Sequence, residues 1–343
     1  MKIYRSEHPR PQFERTKWQN LNGIWEFQMD NNNSGLEKGF AEREHLDGQI
    51  QVPFCPESEL SGIHNKDFML AVWYKKHINI NKYQNERIIL HFGAVDYKTI
   101  VYINGINIGQ HIGGFASFSF DITENVTVGE NIITVYAYDD VRSGKQARGK
   151  QSSKFHSNGC DYTRTTGIWQ TIWLEFVPYE HIETIKYYPD IRNSCIHIEG
   201  TVIGRGKLCA SISFNGKHCG AEEIYITEKN FHMSIRLNEL HLWELGQGNL
   251  YDVVFQYNSD TVKSYFGMRE ISLDGYKFLL NGKSIFQRLV LDQGFYPDGI
   301  YTAPSEQTII KDIEISMQLG FNGARLHQKV FEPRYLYQCD RMG

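Results

Sequence analysis

Between Leu21 and about Lys263 the hydrophobic positions fall in short alternating runs, broken repeatedly by Gly, Asn, Asp and Ser. Apolar residues at every second position give a strand one core-facing side and one solvated side, so this stretch predicts β-structure. Runs at 25–29, 72–80, 88–92, 99–103 and 132–138 read as strands. Asn104-Gly105 and Asn215-Gly216 stand between such runs, and both central positions of a type I′ hairpin turn need positive φ, which Asn and Gly tolerate best. Residues 1–178 and 179–268 therefore read as two all-β units, divided near Pro178 after the apolar strand GIWQTIWLEFV. The second has the length of a sandwich of about seven strands.

Beyond Gly267 the period changes. A third Asn-Gly turn, Asn281-Gly282, leads into SIFQRLVLD, and a loop rich in Gly, Pro and Tyr follows. Pro304-Ser305 opens a helix in which Ile309, Ile310, Ile313 and Met317 share one face, and Gly320 is placed to end it. FNGARLH reads as another strand, and Pro333 is placed to start another helix. This β-α-β-α order predicts parallel pairing in residues 269–343.

Composition narrows the function. The 343 residues carry 36 Lys plus Arg against 40 Asp plus Glu, a net charge of −4, so nothing draws the chain generally to nucleic acid or anionic membranes. No apolar run approaches the ~18 residues of a membrane span, and the opening MKIYRSEHPRP has no apolar signal core. Six cysteines, at 55, 160, 195, 209, 219 and 339, form no CxxC pair, which suits reduced thiols in a cytoplasmic protein. Thirteen histidines show no metal-ligand spacing, and there is no P-loop, HExxH or G-x-S-x-G, so neither cofactor nor metal is expected. The 13% aromatic content suits β cores first and sugar stacking second.

Several segments together carry a resemblance: LNGIWEF at 21–27, VPFCPESELSGI at 52–63, VWYKKHINI at 72–80, LHFGAVDYKTIVYINGINIGQHIGGFASFSFDIT at 90–123, DYTRTTGIWQTIWLE at 161–175 and QLGFNGARLHQKVFEPRYLYQCDRMG at 318–343. In this order and spacing the chain resembles the N-terminal portion of glycoside hydrolase family 2, the β-galactosidase, β-glucuronidase and β-mannosidase group. The resemblance implies a mainly β multidomain protein. A jelly-roll sugar-binding domain (1–178) would be followed by an immunoglobulin-like sandwich (179–268) and the start of a (β/α)8 TIM barrel (269–343), about two of eight βα units. It also implies retaining hydrolysis of β-glycosides by two carboxyl groups about 5–5.5 Å apart. The family's acid/base and nucleophile Glu come from barrel strands four and seven, so the expectation is that this chain holds neither and is inactive alone. Asn85-Glu86 and Asn238-Glu239 fall in the β units and read as surface pairs.

Substrate-binding candidates remain. In FNGARLH, Gly323, Arg325 and His327 alternate with Ala324 and Leu326, so Arg and His would end an inner strand face while Ala and Leu pack on helices. The family places an Arg here that supports the nucleophile; its His commonly follows three residues later, here two. Asp161, in Asp-x-x-Arg-x-x-Gly-Ile, resembles the family loop whose Asp accepts sugar hydroxyls, a task suited to an acceptor-only carboxylate. Asp292 and Gln293, where many members carry Arg-His-Glu, are expected to line the same mouth. Tyr296 and Tyr301 read as loop packing before sugar platform. The expected partner is a carbohydrate; the competing reading is a non-catalytic carbohydrate-binding or interaction protein. Residues 270–343 are expected to be the least stable part unless packing on the β units or a second copy shields them, and a homo-oligomer or a separate chain that completes the barrel is a further expected partner.

Overall fold

The computed structural model describes residues 3–81 and 86–343. Asn85 of the first Asn-Glu pair lies outside them. The described chain is mainly β, and its strands follow the expected alternation.

The first region is two antiparallel sheets closed on one core. A six-stranded sheet runs in the order Gly48–Val52, Gly23–Met29, Ala71–Ile80, Gly129–Tyr138, Lys98–Ile103 and Ile106–Ile112. A four-stranded sheet runs Trp18–Asn20, Ile172–Pro178, Glu86–Phe92 and Phe118–Asp121. Trp25, Phe27, Ile88, Leu90, Val101, Val135 and Leu174 meet between them. The Trp25 indole N–H donates to the Leu21 carbonyl at 2.8 Å, so its polar end is satisfied inside the core. At the Asn104-Gly105 turn both φ values are positive, 51° and 80°, and the same holds at Asn215-Gly216 and Asn281-Gly282.

A three-stranded sheet (His181–Asp190, Cys195–Ile203, Asn230–Arg236) faces a four-stranded one (Lys217–Ile226, Gly206–Phe214, Tyr251–Tyr257, Asp260–Phe266). Strand Asn230–Arg236 alternates exposed and buried residue by residue, with Phe231, Met233 and Ile235 inward. Phe13, far upstream in sequence, completes this second core. The N-terminal strap is held there by the Gln12 side-chain amide donating to Tyr265 O (3.1 Å) and by a bridge between Glu14 and Lys263.

Arg15 lies where the two sandwiches meet. Its Nη1 is 2.9 Å from Glu175 of the first, its Nε 2.8 Å from Asp260 of the second, and Nη2 donates to Ile182 O. All three side chains are buried. Burial alone would raise the Glu175 pKa, but hydrogen bonding and charge from His91, and the charges of Arg15 and Arg10, outweigh it and hold the carboxyl well below its usual range.

The third region begins with an antiparallel sheet of Ile271–Asp274, Lys277–Leu280 and Lys283–Ile285. Then come β1 (Leu289–Asp292), α1 (Glu306–Gln318), β2 (Gly323–Leu326) and α2 (Pro333–Met342). β1 and β2 pair in parallel, Leu289 opposite Gly323 through Asp292 opposite Leu326. The Ser305 hydroxyl accepts from Thr308 N–H at 3.2 Å and caps α1, and Gly320 follows it at φ +85°. Ile309 and Ile313 are buried against Phe331 and Tyr335, as the helical period predicts. Met317 is not: it is 37% exposed and lies outside the cluster that holds Ile309 and Ile313.

One face of this region stays open. Leu289 and Leu291 are 41% and 52% exposed, and Leu273 and Phe286 are 75% and 78% exposed. Amide hydrogen exchange of the isolated chain is accordingly expected to be at least tenfold faster in 271–292 than in strands Ala71–Ile80 and Gly129–Tyr138. Equal protection would mean that contacts with the sandwiches carry this region's stability.

Candidate functional site

The loop 148–166 leaves the first sandwich and leans on the exit from β1. Two buried side chains and one glycine shape it. Gln151 donates from Nε2 to Asp96 Oδ2 at 2.6 Å and accepts from Thr165 N–H at 2.8 Å. Arg164, 1% exposed, donates to Lys154 O and stacks on Phe68, its guanidinium 4.1 Å from the ring centre. Gly167 has φ +74°, and a Cβ there would come within 2.2 Å of the Tyr74 hydroxyl, so only glycine fits. The Asp-x-x-Arg-x-x-Gly spacing is thus an anchored loop with Asp161 at its outer end.

Asp161 is half-buried and pairs with Arg148 at 3.1 Å, and its backbone exchanges hydrogen bonds with Asn158. Next to it Tyr162 packs on Phe295, ring centres 4.6 Å apart, and Phe295 packs on Tyr301 at 4.8 Å. A Cβ on Gly149 would be 2.2 Å from the Gln328 carbonyl oxygen, so this loop abuts the backbone immediately after His327. A cavity of about 250 Å³ opens on the other side of the same contact, lined by Glu57, His64, Lys66, Tyr162, Phe295 and Tyr296.

The predicted site residues are only partly brought together. The His327 N–H donates to the Asp292 carbonyl at 2.8 Å, which joins the ends of the two parallel strands. The side chains divide between faces. Asp292 pairs with Leu326, on the side covered by helices, and its Oδ2 accepts from the Tyr335 hydroxyl of α2 at 3.1 Å while Oδ1 accepts from Gly294 N–H. Arg325 pairs with Leu291 on the open side and is exposed. The Asp292 carboxylate therefore does not share a face with Arg325. Gln293 and His327 are half-buried. Tyr301 is 1% exposed, between Trp169 and Phe295, a packing residue.

Sequence reading missed Lys329. Gln328 has φ +55°, which breaks the strand alternation and turns the next side chain inward. The buried Lys329 ammonium donates to the carbonyls of Gly294 (2.5 Å) and Tyr301 (2.7 Å) among the rings of Trp169, Tyr296, Tyr301 and Phe331, 4.8 to 5.8 Å from their centres. Burial pushes its pKa down to about 7 against the opposing pull of Glu332 and Asp292. With Thr302 Oγ1 donating to the Pro53 carbonyl and Arg5 paired with Glu332 at 2.7 Å, this fixes β2 and its exit against the first sandwich.

Elsewhere, Glu86 pairs with Lys17, and Glu239 with Lys217 and His241. The buried carboxylates Glu57, Asp96 and Asp139 lie under the 148–166 loop and were not singled out by any spacing. All six cysteines are free. Among the described residues no helix is long and apolar enough to cross a membrane.

Comparison with known proteins agrees with this architecture. Residues 46–171 match the family described as glycosyl hydrolase 2 galactose-binding domain-like. A β-galactosidase of Thermoanaerobacter pseudethanolicus is 25% identical over 350 residues, covering 94% of this chain and 45% of the relative. A β-glucuronidase of Streptococcus agalactiae is 23% identical over 346 residues, covering 94% and 55%. The chain spans about half the length of these curated relatives. Among solved structures, Ruminococcus gnavus β-glucuronidase superposes with a TM-score of 0.81 at 19% identity, over 99% of this chain and 59% of that one. A β-glucuronidase from an uncultured Clostridium gives 0.80 at 22%, over 96% and 58%. Family match and chain-long relatives agree with the segments read from the sequence: residues 46–171 match the glycosyl hydrolase 2 galactose-binding-like domain, and the chain along its length is similar to β-galactosidases and β-glucuronidases.

Proposed function

We propose that these residues form the N-terminal, sugar-side part of a retaining β-glycoside hydrolase. In this reading residues 1–178 are a jelly-roll domain, 179–268 an immunoglobulin-like sandwich, and 269–343 the entry into a (β/α)8 barrel. The observation that carries it is the contact of the Asp161 loop with the exit of the parallel strands, through Tyr162–Phe295 and Gly149–Gln328. Catalytic residues of such barrels gather at the C-terminal strand ends, and a loop from a neighbouring domain adds selectivity there.

Asp161 offers a carboxylate to sugar hydroxyls, and Arg325 and His327 offer donors from the second barrel strand. Asp292, held by Tyr335 and Gly294 N–H, orients the first strand's exit. The acid/base and nucleophile carboxylates of the retaining mechanism are not among these residues, so the 343-residue chain is expected to bind sugar weakly and not turn it over. The reading puts the protein in the cytoplasm, consistent with six unpaired thiols.

Assay of the chain with aryl β-galactosides and β-glucuronides, beside calorimetric titration with the free sugars, tests this. Weak binding lost in Asp161→Ala, with no hydrolysis, is expected. Turnover that copurifies with the chain would overturn the assignment of the carboxylates. Binding indifferent to Asp161→Ala would remove this loop from the site and favour a carbohydrate-binding surface elsewhere on the β units.

A further inference from the structure

The outer face of the six-stranded sheet carries a cluster unrelated to the sugar-side loop. Trp25 and Phe27 point into the core, so Glu26 between them points out. His77, on the adjacent strand, also faces out, two residues beyond the Lys75 that pairs with Glu26. The loop 31–47 crosses this face, with Phe40, Ala41 and Leu46 packed on Trp73, Tyr102 and Tyr136, and it brings His45 over the same spot.

His45 Nδ1 is 2.7 Å from Glu26 Oε1, and His77 Nε2 is 3.8 Å from that oxygen. One ligand atom from each of the three residues lies within 4.8 Å of the others. The two imidazole rings stack, centres 5.1 Å apart and planes 28° apart. Tetrahedral zinc with bonds of about 2.0–2.2 Å sets its ligands about 3.3 Å apart, a value that the two measured distances bracket. The widest separation closes by turning His45, whose side chain is 64% exposed.

The surroundings are those of a metal ligand set. Glu26 Oε2 accepts from Leu46 N–H at 2.8 Å, which fixes the carboxylate. His77 Nδ1 stands 2.9 Å from Glu130 Oε1, the carboxylate–imidazole contact that orients a ligating histidine and raises its basicity. Among the described residues His77 Nε2 has the Glu44 carbonyl at 3.2 Å as a further neighbour, an interaction that a cation would replace by taking the place of the proton. Glu26, Glu44 and Glu130 stand beside the two imidazoles, and the Lys75 ammonium nearby is already bound to the Ala41 and Arg43 carbonyls.

We propose that Glu26, His45 and His77 bind one divalent transition-metal ion of the zinc type, clipping the 31–47 loop to the six-stranded sheet. Two imidazoles and one carboxylate suit Zn²⁺, Ni²⁺ or Cu²⁺ and not Mg²⁺ or Ca²⁺. The fourth position is left to water, and the role is to order the loop.

Chain stripped with a chelator is titrated with Zn²⁺ by calorimetry near neutral pH. One site is expected, its affinity lowered at least tenfold in His77→Gln and in His45→Gln, and about tenfold in Glu130→Gln. His232→Gln, on the second sandwich, serves as control and leaves binding unchanged. His45 is on the exposed loop, so its variant keeps the fold if His77→Gln does not. Hydrogen exchange of 40–47 is expected to slow with Zn²⁺ in the native chain and not in His45→Gln, and Mg²⁺ or Ca²⁺ have no effect. Absence of saturable binding below ~100 μM, or binding that survives both histidine variants, would overturn the site.

Discussion

Replacing Arg15 by methionine is expected to destabilise the chain by about 3–5 kcal/mol, the range for removing one partner from a buried ion-pair network. The guanidinium is the only described group that bonds the buried carboxylates of both sandwiches, Glu175 at 2.9 Å and Asp260 at 2.8 Å. Without it Asp260 keeps the Ile182 N–H at 3.0 Å, and Glu175 keeps His91 at 3.4 Å and His8 at 3.8 Å. His8 cannot take over the charge easily, since burial pushes its pKa down to about 4. The loss falls on the junction, so urea unfolding should also split into two transitions as the sandwiches uncouple. A single transition with a loss under about 1 kcal/mol would show that water replaces the guanidinium and that the junction is held by Phe13 and the strap.

The second large effect is a pH dependence. Glu57 is fully buried; its Oε2 accepts from Thr166 N–H at 3.1 Å, and Oε1 has no partner. Burial raises its pKa to about 7, against the hydrogen bonds of Thr166 and with a smaller push from the Asp139 charge. A carboxyl that holds its proton more tightly when folded contributes stability that is fully present below the unfolded value of 4.5. That contribution is lost as the pH rises through about 7. The difference amounts to about 3 kcal/mol. Glu57→Gln keeps the shape and the acceptor for Thr166 but cannot ionise. The variant should match the native chain below about pH 4.5 and exceed it by about 3 kcal/mol near pH 8, measured by denaturant unfolding at both pH values. A difference that does not change with pH would mean that Glu57 titrates normally and that water reaches it.

Much of the fold was legible along the chain. Alternation marked the strands, three Asn-Gly pairs marked hairpins whose φ values are positive, and the Ile309–Ile313 spacing with Ser305 marked a capped helix. These are local features, set within a few residues by backbone sterics and by the period of one element. The site was less legible because its decisive features are not local. Asp292 ends one parallel strand and Arg325 stands one residue before the end of the other, so the register sets them on opposite faces, and no spacing within either strand reveals the register. No motif or spacing marks Lys329; the positive φ of Gln328 turns it into a ring of aromatics.

Read alone, the sequence carried the mainly β character, the change of period near residue 270 and the resemblance that the match of residues 46–171 supports. Each follows from periodicity or from ordered segments that a linear reading can count. Which residues meet is a matter of the folded chain. Phe13 enters a core built from residues 182–268, Arg15 reaches Glu175 and Asp260, and Glu26, His45 and His77 converge from two strands and a loop. Histidine spacing gave no metal motif because those ligands are separated by 19 and 32 residues of sequence, and antiparallel pairing, not helical or turn geometry, closes that gap.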